Sequence, residues 1–185
     1  DMEGSRGLGD VYKRQRGTHV KVSLETSAGT IVIQLDEESA PKTCANFLEY
    51  VRAGFYDGTL FHRVISGFMI QGGGFEPGMV KKEVNPPVAN EANNGLKNRE
   101  GSIAMARTSD PHSATSQFFI NASDNAFLDH RNQTADGWGY AVFGRIVDGH
   151  SVAKAIGEVP TGSSSGHQDV PVEDVVIERA VVLED

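Results

Sequence analysis

Residues 61–74, FHRVISGFMIQGGG, decide how this chain is read. With period two, Phe61, Arg63 and Ile65 alternate with His62, Val64 and Ser66. Beyond a break at Ser66-Gly67, Phe68 and Ile70 alternate with Met69 and Gln71. This predicts two short strands joined at a kink, with the glycine marking a bulge or a close approach of backbone. It leaves one arginine beside an apolar run that ends in an amide and three glycines. A guanidinium keeps its proton, so Arg63 is an anion clamp, a salt-bridge partner or a fixed donor aimed at a neutral group. Nothing local is anionic enough to be its obvious mate, and an ordinary surface arginine on an edge strand is the competing reading.

Upstream, Val20, Val22 and Leu24 alternate, Ala28-Gly29 supplies a turn, and Ile31, Ile33 and Leu35 alternate again, which predicts a hairpin with one buried face. Cys44, Phe47, Leu48 and Val51 then fall at i, i+3, i+4 and i+7, after Ser39-Ala40-Pro41 and before Gly54, the pattern of one amphipathic helix. Downstream, residues 75–99 carry Pro77, Pro86, Pro87 and NEANNGLKN without periodicity and are expected to be a long functional loop. In the next strand Ile103 and Met105 face one way and Ala104 and Ala106 the other; in QFFIN, Phe118 and Ile120 oppose Gln117 and Phe119. Residues 124–140, with the single tryptophan Trp138, are expected to be a second long loop. A strand at 141–146, a short helix at 151–156, a loop TGSSSGHQDVP and a closing strand at 175–183 complete the chain. Many short strands with two helices predict an all-β barrel or sandwich, and closure would remove the edges.

With 185 residues and 38% hydrophobic content, one domain with a real core is expected. Residues 1–16 mix glycine with both charges and show no period, so they are read as a non-native or disordered leader, with the folded domain spanning 17–185. A net charge of −8 with scattered Lys and Arg argues against nucleic acid as a partner. No run is long and apolar enough for a membrane span, and no apolar segment of a secretory signal is seen. The single cysteine, Cys44, excludes a disulfide framework and is read as a small core residue, which suits a reducing, cytoplasmic setting. None of the six histidines pairs with a second His or Cys at ligand spacing, so no metal or other cofactor is expected. No Gly-x-Ser-x-Gly elbow is present, and Gly72-Gly73-Gly74 has neither the spacing nor the lysine of a phosphate loop. Asn121-Ala-Ser123 and Asn132-Gln-Thr134 match the glycosylation acceptor and are read as accidental matches.

Well-separated blocks in order, FHRVISGFMIQGGG, GSIAMARTSDPHSATSQFFIN and GWGYAVFGRIVDG with the segments that flank them, resemble the cyclophilin family of peptidyl-prolyl isomerases across about residues 18–183. NEANNGLKN, HQDVP and the insert before Gly137 resemble its bacterial cytoplasmic branch. The resemblance implies a mainly β fold, a closed eight-stranded antiparallel barrel capped by two helices, with the active groove on its outer face. Carried over by position, Arg63, Phe68 and Gln71 are the catalytic set. Phe68, Met69, Phe119 and Leu128 form a proline pocket, Gln71 and Gln117 orient the peptide, Ala106 and Arg107 line its path, and His62 flanks the pocket. Phe127 stands where many members carry tryptophan, so binding of the inhibitor cyclosporin is expected to be weak; Tyr140 stands where many carry histidine, a departure that touches only the rim. The implied partners are proline-containing peptides and folding proteins, met by a monomer. A binding module or chaperone that holds proline segments with little turnover is the alternative, and it would have no need of Arg63.

Overall fold

The computed structural model describes residues 19–183, so the leader expected at 1–16 lies outside the described residues. The chain opens with a hairpin of β1 (Lys21–Thr26) and β2 (Gly29–Leu35), closed by Ser27 and Ala28 between the paired Thr26 and Gly29. Its inward row, Val22, Leu24, Ile31, Ile33 and Leu35, is shut off from solvent, as the alternation predicts. Helix α1 (Pro41–Arg52) follows, with Pro41 in its first turn, where a missing N–H costs nothing. Thr43, Cys44, Phe47, Leu48, Tyr50 and Val51 are its buried stripe.

Five short strands come next: β3 (Thr59–Leu60), β4 (Arg63–Ile65), β5 (Met69–Gly72), β6 (Phe75–Glu76) and β7 (Val80–Lys81). After them come β8 (Ser102–Met105), β9 (Phe118–Asn121), β10 (Val142–Asp148), helix α2 (His150–Ile156), β11 (Thr161–Ser164), β12 (His167–Pro171) and β13 (Val176–Leu183). Nine strands form one antiparallel sheet in the order β3-β13-β1-β2-β10-β8-β9-β5-β4. The two strands at its ends are consecutive pieces of one run, 59–65, broken only at Phe61-His62. The curled sheet therefore meets itself through a bent strand, and counting that strand once gives the eight expected from the resemblance.

Register sorts the side chains. Val64 lies opposite Ile70, Ile70 opposite Ile120 and Ile120 opposite Ile103, a row that fills the interior together with Phe47, Phe118 and Phe143. Phe118 sits at the centre of the aromatic packing, edge-on to Phe47, Tyr56 and Phe61 at 5.6, 5.4 and 6.0 Å between centroids. The glycine run after β5 serves this packing. Gly73 has φ of +90° and lies so close to the Phe118 and Tyr56 rings that a Cβ would meet them at 2.8 Å.

Three expectations need correction. Phe61 does not share a face with Arg63: it is fully buried, whereas Arg63 is exposed. The chain turns a corner at Phe61-His62, where Phe61 N–H donates to the Val175 carbonyl at 2.9 Å, and the alternation restarts at Arg63. The segment TGSSSGHQDVP is not a loop but the β11–β12 hairpin, turned by Ser165 and Gly166 at φ of +50° and +81°. Nor is 75–99 wholly irregular, since it contains the small β6–β7 hairpin and a 3₁₀ turn at Ala92–Asn94.

Candidate active site

The outer face of the same strands carries a second row. Arg63 lies opposite Gln71, Gln71 opposite Phe119, Phe119 opposite Ala104 and Ala104 opposite Val142, so five side chains from β4, β5, β9, β8 and β10 stand side by side. Because side chains two apart share a face, Met69 and Ile65 join this surface. Met69, Phe119, Ala104, Val142 and Leu128 form an apolar cluster separate from the main core, with Ile65, Phe68, Leu96, Ala106 and Tyr140 half-buried around it. A sheet with both faces apolar over these strands needs a cover on the outside, and the loops before β8 and before β10 supply it through Leu96, Leu128 and Tyr140.

One end of the row is polar. Arg63 Nη1 donates to Gln71 Oε1 at 3.3 Å, and Gln71 Nε2 donates to Gln117 Oε1 at 2.9 Å. The described partner of the guanidinium is thus a neutral amide, as the absence of a nearby carboxylate in the sequence suggested. The other end is aromatic. Tyr140 meets Phe119 edge to face at 5.7 Å and lies 4.5 Å under the Arg107 guanidinium. That guanidinium is fixed by donating to the carbonyls of Gly139 at 3.0 Å and Thr108 at 2.8 Å. Phe127, in a 3₁₀ turn at Ala126–Leu128, is 69% exposed and stacks on Phe68 at 5.6 Å. Beside Gln71, Gln117, Ala106 and Arg107 a further cavity of about 280 Å³ opens toward Lys81 and Lys82.

The structure therefore brings together Arg63, Phe68, Met69, Gln71, Ala106, Arg107, Gln117, Phe119, Phe127, Leu128 and Tyr140 on one face. His62 is set apart from them. It is 5% exposed and tucked behind Arg63, its ring 4.5 Å from that of Phe75, which in turn meets His167 at 5.2 Å. Burial, with the charges of His167 and Arg63 nearby, pulls its pKa down to about 4, so the ring is neutral at pH 7. Its Nδ1 has no described hydrogen-bond partner.

Sequence reasoning missed what lies beneath the aromatic end, a knot of buried asparagines. Asn98, Asn121 and Asn125 are 1, 1 and 4% exposed, and the side chain of Asn121, one of the two glycosylation matches, is enclosed by protein. The signal available was an asparagine closing the strand QFFIN, a place where a solvent-facing residue would leave the sheet's outer surface uncovered.

The surface offers two guanidinium groups, Arg63 and Arg107, two amides and an apolar cluster, and among its described residues no nucleophile is aligned on a base. Among the described residues no group of three or more His, Cys, Asp or Glu side chains comes together, and no helix is long and apolar enough to cross a membrane. Such a set can hold a compact apolar ring and donate one directed hydrogen bond beside it.

Residues 21–182 match the family described as cyclophilin type peptidyl-prolyl cis-trans isomerase/CLD. The chain is 64% identical over 162 residues to peptidyl-prolyl cis-trans isomerase cyp18 of Streptomyces antibioticus, covering 88% of this chain and 98% of the relative. To peptidyl-prolyl cis-trans isomerase B of Escherichia coli (strain K12) it is 58% identical over 163 residues, covering 88% and 99%. Its fold superimposes on the crystal structure of a Cryptosporidium parvum cyclophilin type peptidyl-prolyl cis-trans isomerase with a TM-score of 0.77 at 29% identity, over 90% of this chain and 99% of that one. A structure of the same protein in the presence of the dipeptide Ala-Pro gives 0.76 at 29% identity, over 89% and 99%.

Proposed function

This chain belongs to the cyclophilin family and is a peptidyl-prolyl cis-trans isomerase, and from that premise we propose that the reaction runs on the outer row from Arg63 to Tyr140. The reaction needs no acid, base or nucleophile. An X-Pro amide resists rotation through resonance, with a barrier of ~18–20 kcal/mol, and isomerises unaided in tens to hundreds of seconds. As the bond twists, the prolyl nitrogen recovers a lone pair. A donor fixed beside that nitrogen binds the twisted state more tightly than either planar one, which is the requirement for catalysis. Arg63 is that donor, its planar fork oriented by the bond from Nη1 to Gln71 Oε1 at 3.3 Å. An acceleration of ~10⁵-fold asks for about 7 kcal/mol of differential stabilisation.

The proline ring sits in the basin of Phe68, Met69, Phe119 and Leu128, where burial excludes water and strengthens the guanidinium's field. Gln71 and Gln117, linked at 2.9 Å, hold the peptide on the polar side, while Ala106 and Arg107 line its course toward Tyr140. Phe127 walls the far rim, stacked on Phe68. His62 backs Arg63 as a neutral ring, so that no second charge competes beside the guanidinium. The substrates are proline-containing peptides, including segments of folding proteins, and the chain acts as a monomer in the cytoplasm without a cofactor. The observation that carries the reading is the unbroken register Arg63-Gln71-Phe119, which puts a cation and an apolar basin on adjoining strands of one face. In a protease-coupled assay on an X-Pro peptide, Arg63→Ala is expected to lose most of kcat/KM while its melting temperature stays near wild type, and Arg63→Lys to recover only part of the loss. Wild-type turnover in Arg63→Ala would end the assignment.

A further inference from the structure

The basin's walls come from three separate pieces of chain. Phe68 is on the β4–β5 turn, Leu128 on the 3₁₀ turn, and Tyr140 on the segment leading into β10. Loops carrying a binding wall move unless something fixes their backbone. Each of the three residues turns its carbonyl inward, and each carbonyl meets a buried asparagine. Asn125 Nδ2 donates to the Phe68 carbonyl at 2.9 Å. Asn98 Nδ2 lies 3.1 Å from Asp129 Oδ1, 3.2 Å from the Leu128 carbonyl oxygen and 3.4 Å from that of Tyr140, three acceptors sharing its two hydrogens. The asparagines are tied to one another through Asn121, whose Nδ2 donates to Asn98 Oδ1 at 3.0 Å and whose Oδ1 accepts from Asn125 Nδ2 at 2.8 Å. Asn121 is the last residue of β9, two positions from Phe119, and pairs with Met69. Its backbone is therefore part of the rigid sheet that forms the basin floor.

We infer that Asn98, Asn121 and Asn125 are positioning residues for the isomerase reaction, an amide relay that references the pocket walls Phe68, Leu128 and Tyr140 to the sheet beneath them. This rests on the reading of those residues as the proline pocket. Three buried primary amides are an expensive choice for a structural filler, because each brings two donors and an acceptor that must all be satisfied away from water. Here the satisfied geometry is the one that fixes the walls. Both hydrogens of Asn125 Nδ2 are used, one on the wall at Phe68 and one on Asn121. The relay also has an arm that touches no wall: Asn121 Nδ2 donates to Ser102 Oγ at 2.9 Å, and Ser102 in turn donates to the Arg99 carbonyl at 2.7 Å. That arm separates positioning from plain stability.

Asn125→Ala removes the side-chain tie to Phe68, keeping only the Ala122 N–H bond to that carbonyl at 2.8 Å, and leaves Arg63, Gln71 and the basin side chains in place. The expected result is a rise in KM for a short proline peptide of about tenfold with kcat changed less than about twofold, since the grip on the ring loosens while the guanidinium is untouched. Ser102→Ala loosens the same relay at its far end and is expected to lower the urea midpoint while leaving KM at the wild-type value. If the alanine variant does not fold, Asn125→Ser gives the same comparison, its hydroxyl being too short to span both Asn121 and Phe68. An unchanged KM in the folded Asn125 variant, or an equal rise in Ser102→Ala, overturns the inference. Phe68→Ala in the same assay isolates the premise: if it leaves KM unchanged, the pocket reading itself fails, whereas a raised KM there with an unchanged KM in Asn125→Ala sinks only the relay.

Discussion

The buried histidine behind Arg63 makes the stability of this protein depend on pH in a defined window. His62 titrates at about 4 in the folded chain against 6.5 for an unperturbed histidine. Desolvation is the main cause, and the charges of His167 and Arg63 act in the same direction. Between those two values the unfolded chain binds a proton that the folded chain refuses, so folding stability rises with pH across the window and falls as pH is lowered through it. The loss begins near pH 6.5 and is complete below 4. A tenfold difference in proton affinity is worth about 1.4 kcal/mol, so the full effect is about 3 kcal/mol, and the part lost between pH 7 and pH 5.5 is about 1.2 kcal/mol. The upper part of the window is the useful one, because carboxylates with ordinary pKa values stay charged there. His62→Phe keeps a ring in a site that is 5% exposed and offers Nδ1 no described partner, while removing the titration. Urea unfolding of both proteins at pH 7.0 and 5.5 is the assay, with the difference in midpoints read as free energy. Wild type is expected to lose about 1 kcal/mol more than His62→Phe over this interval. Equal losses in the two proteins would mean that His62 is not the group held neutral by burial.

At the rim, Phe127→Trp should tighten cyclosporin binding by roughly 5- to 150-fold, equivalent to about 1–3 kcal/mol, because the indole N–H supplies a donor where phenylalanine leaves an inhibitor acceptor unpaired. Turnover of short proline peptides should barely change, and equal inhibitor affinity in titration calorimetry would remove Phe127 from the groove wall. Cys44 is fully buried, and burial, with the carboxylates of Glu37 and Asp36 adding to it, pushes its thiol up to about 12. Iodoacetamide at pH 8 should therefore leave the folded protein unmodified and alkylate it only on unfolding, as read by intact mass; rapid alkylation of native protein would contradict that placement.

The parts of the fold legible in the sequence are those where one face is apolar and the other is not. The β1–β2 hairpin and α1 announce themselves because Val22, Leu24, Ile31 and Ile33, and likewise Cys44, Phe47, Leu48 and Val51, repeat at the strand and helix periods. The β11–β12 hairpin escapes because β11 is exposed throughout, so its Gly and Ser residues carry no apolar period; only the Ser165-Gly166 turn marks it. Phe61 misleads because a corner resets the alternation without changing the composition. The site residues were named by resemblance, and the register explains why residues so far apart in sequence meet on one face: Gln71 and Phe119 are opposite one another on β5 and β9. Of the asparagine relay only Asn121, closing β9, left a signal; Asn98 and Asn125 lie in loops, where a buried Asn and an exposed one look alike in sequence and only the depth of the covering loops distinguishes them.

The central claim is that the guanidinium of Arg63 acts on the twisting bond and not on binding. Exchange NMR on a proline peptide, run with wild type and Arg63→Ala at the same fraction of bound peptide, tests it most directly. Wild type is expected to drive cis/trans exchange cross-peaks, with amide shift changes gathered on Gln71, Phe119 and Leu128. Arg63→Ala is expected to show those same shift changes with the exchange quenched. Undiminished exchange in Arg63→Ala, or quenched exchange explained wholly by lost binding, would contradict it.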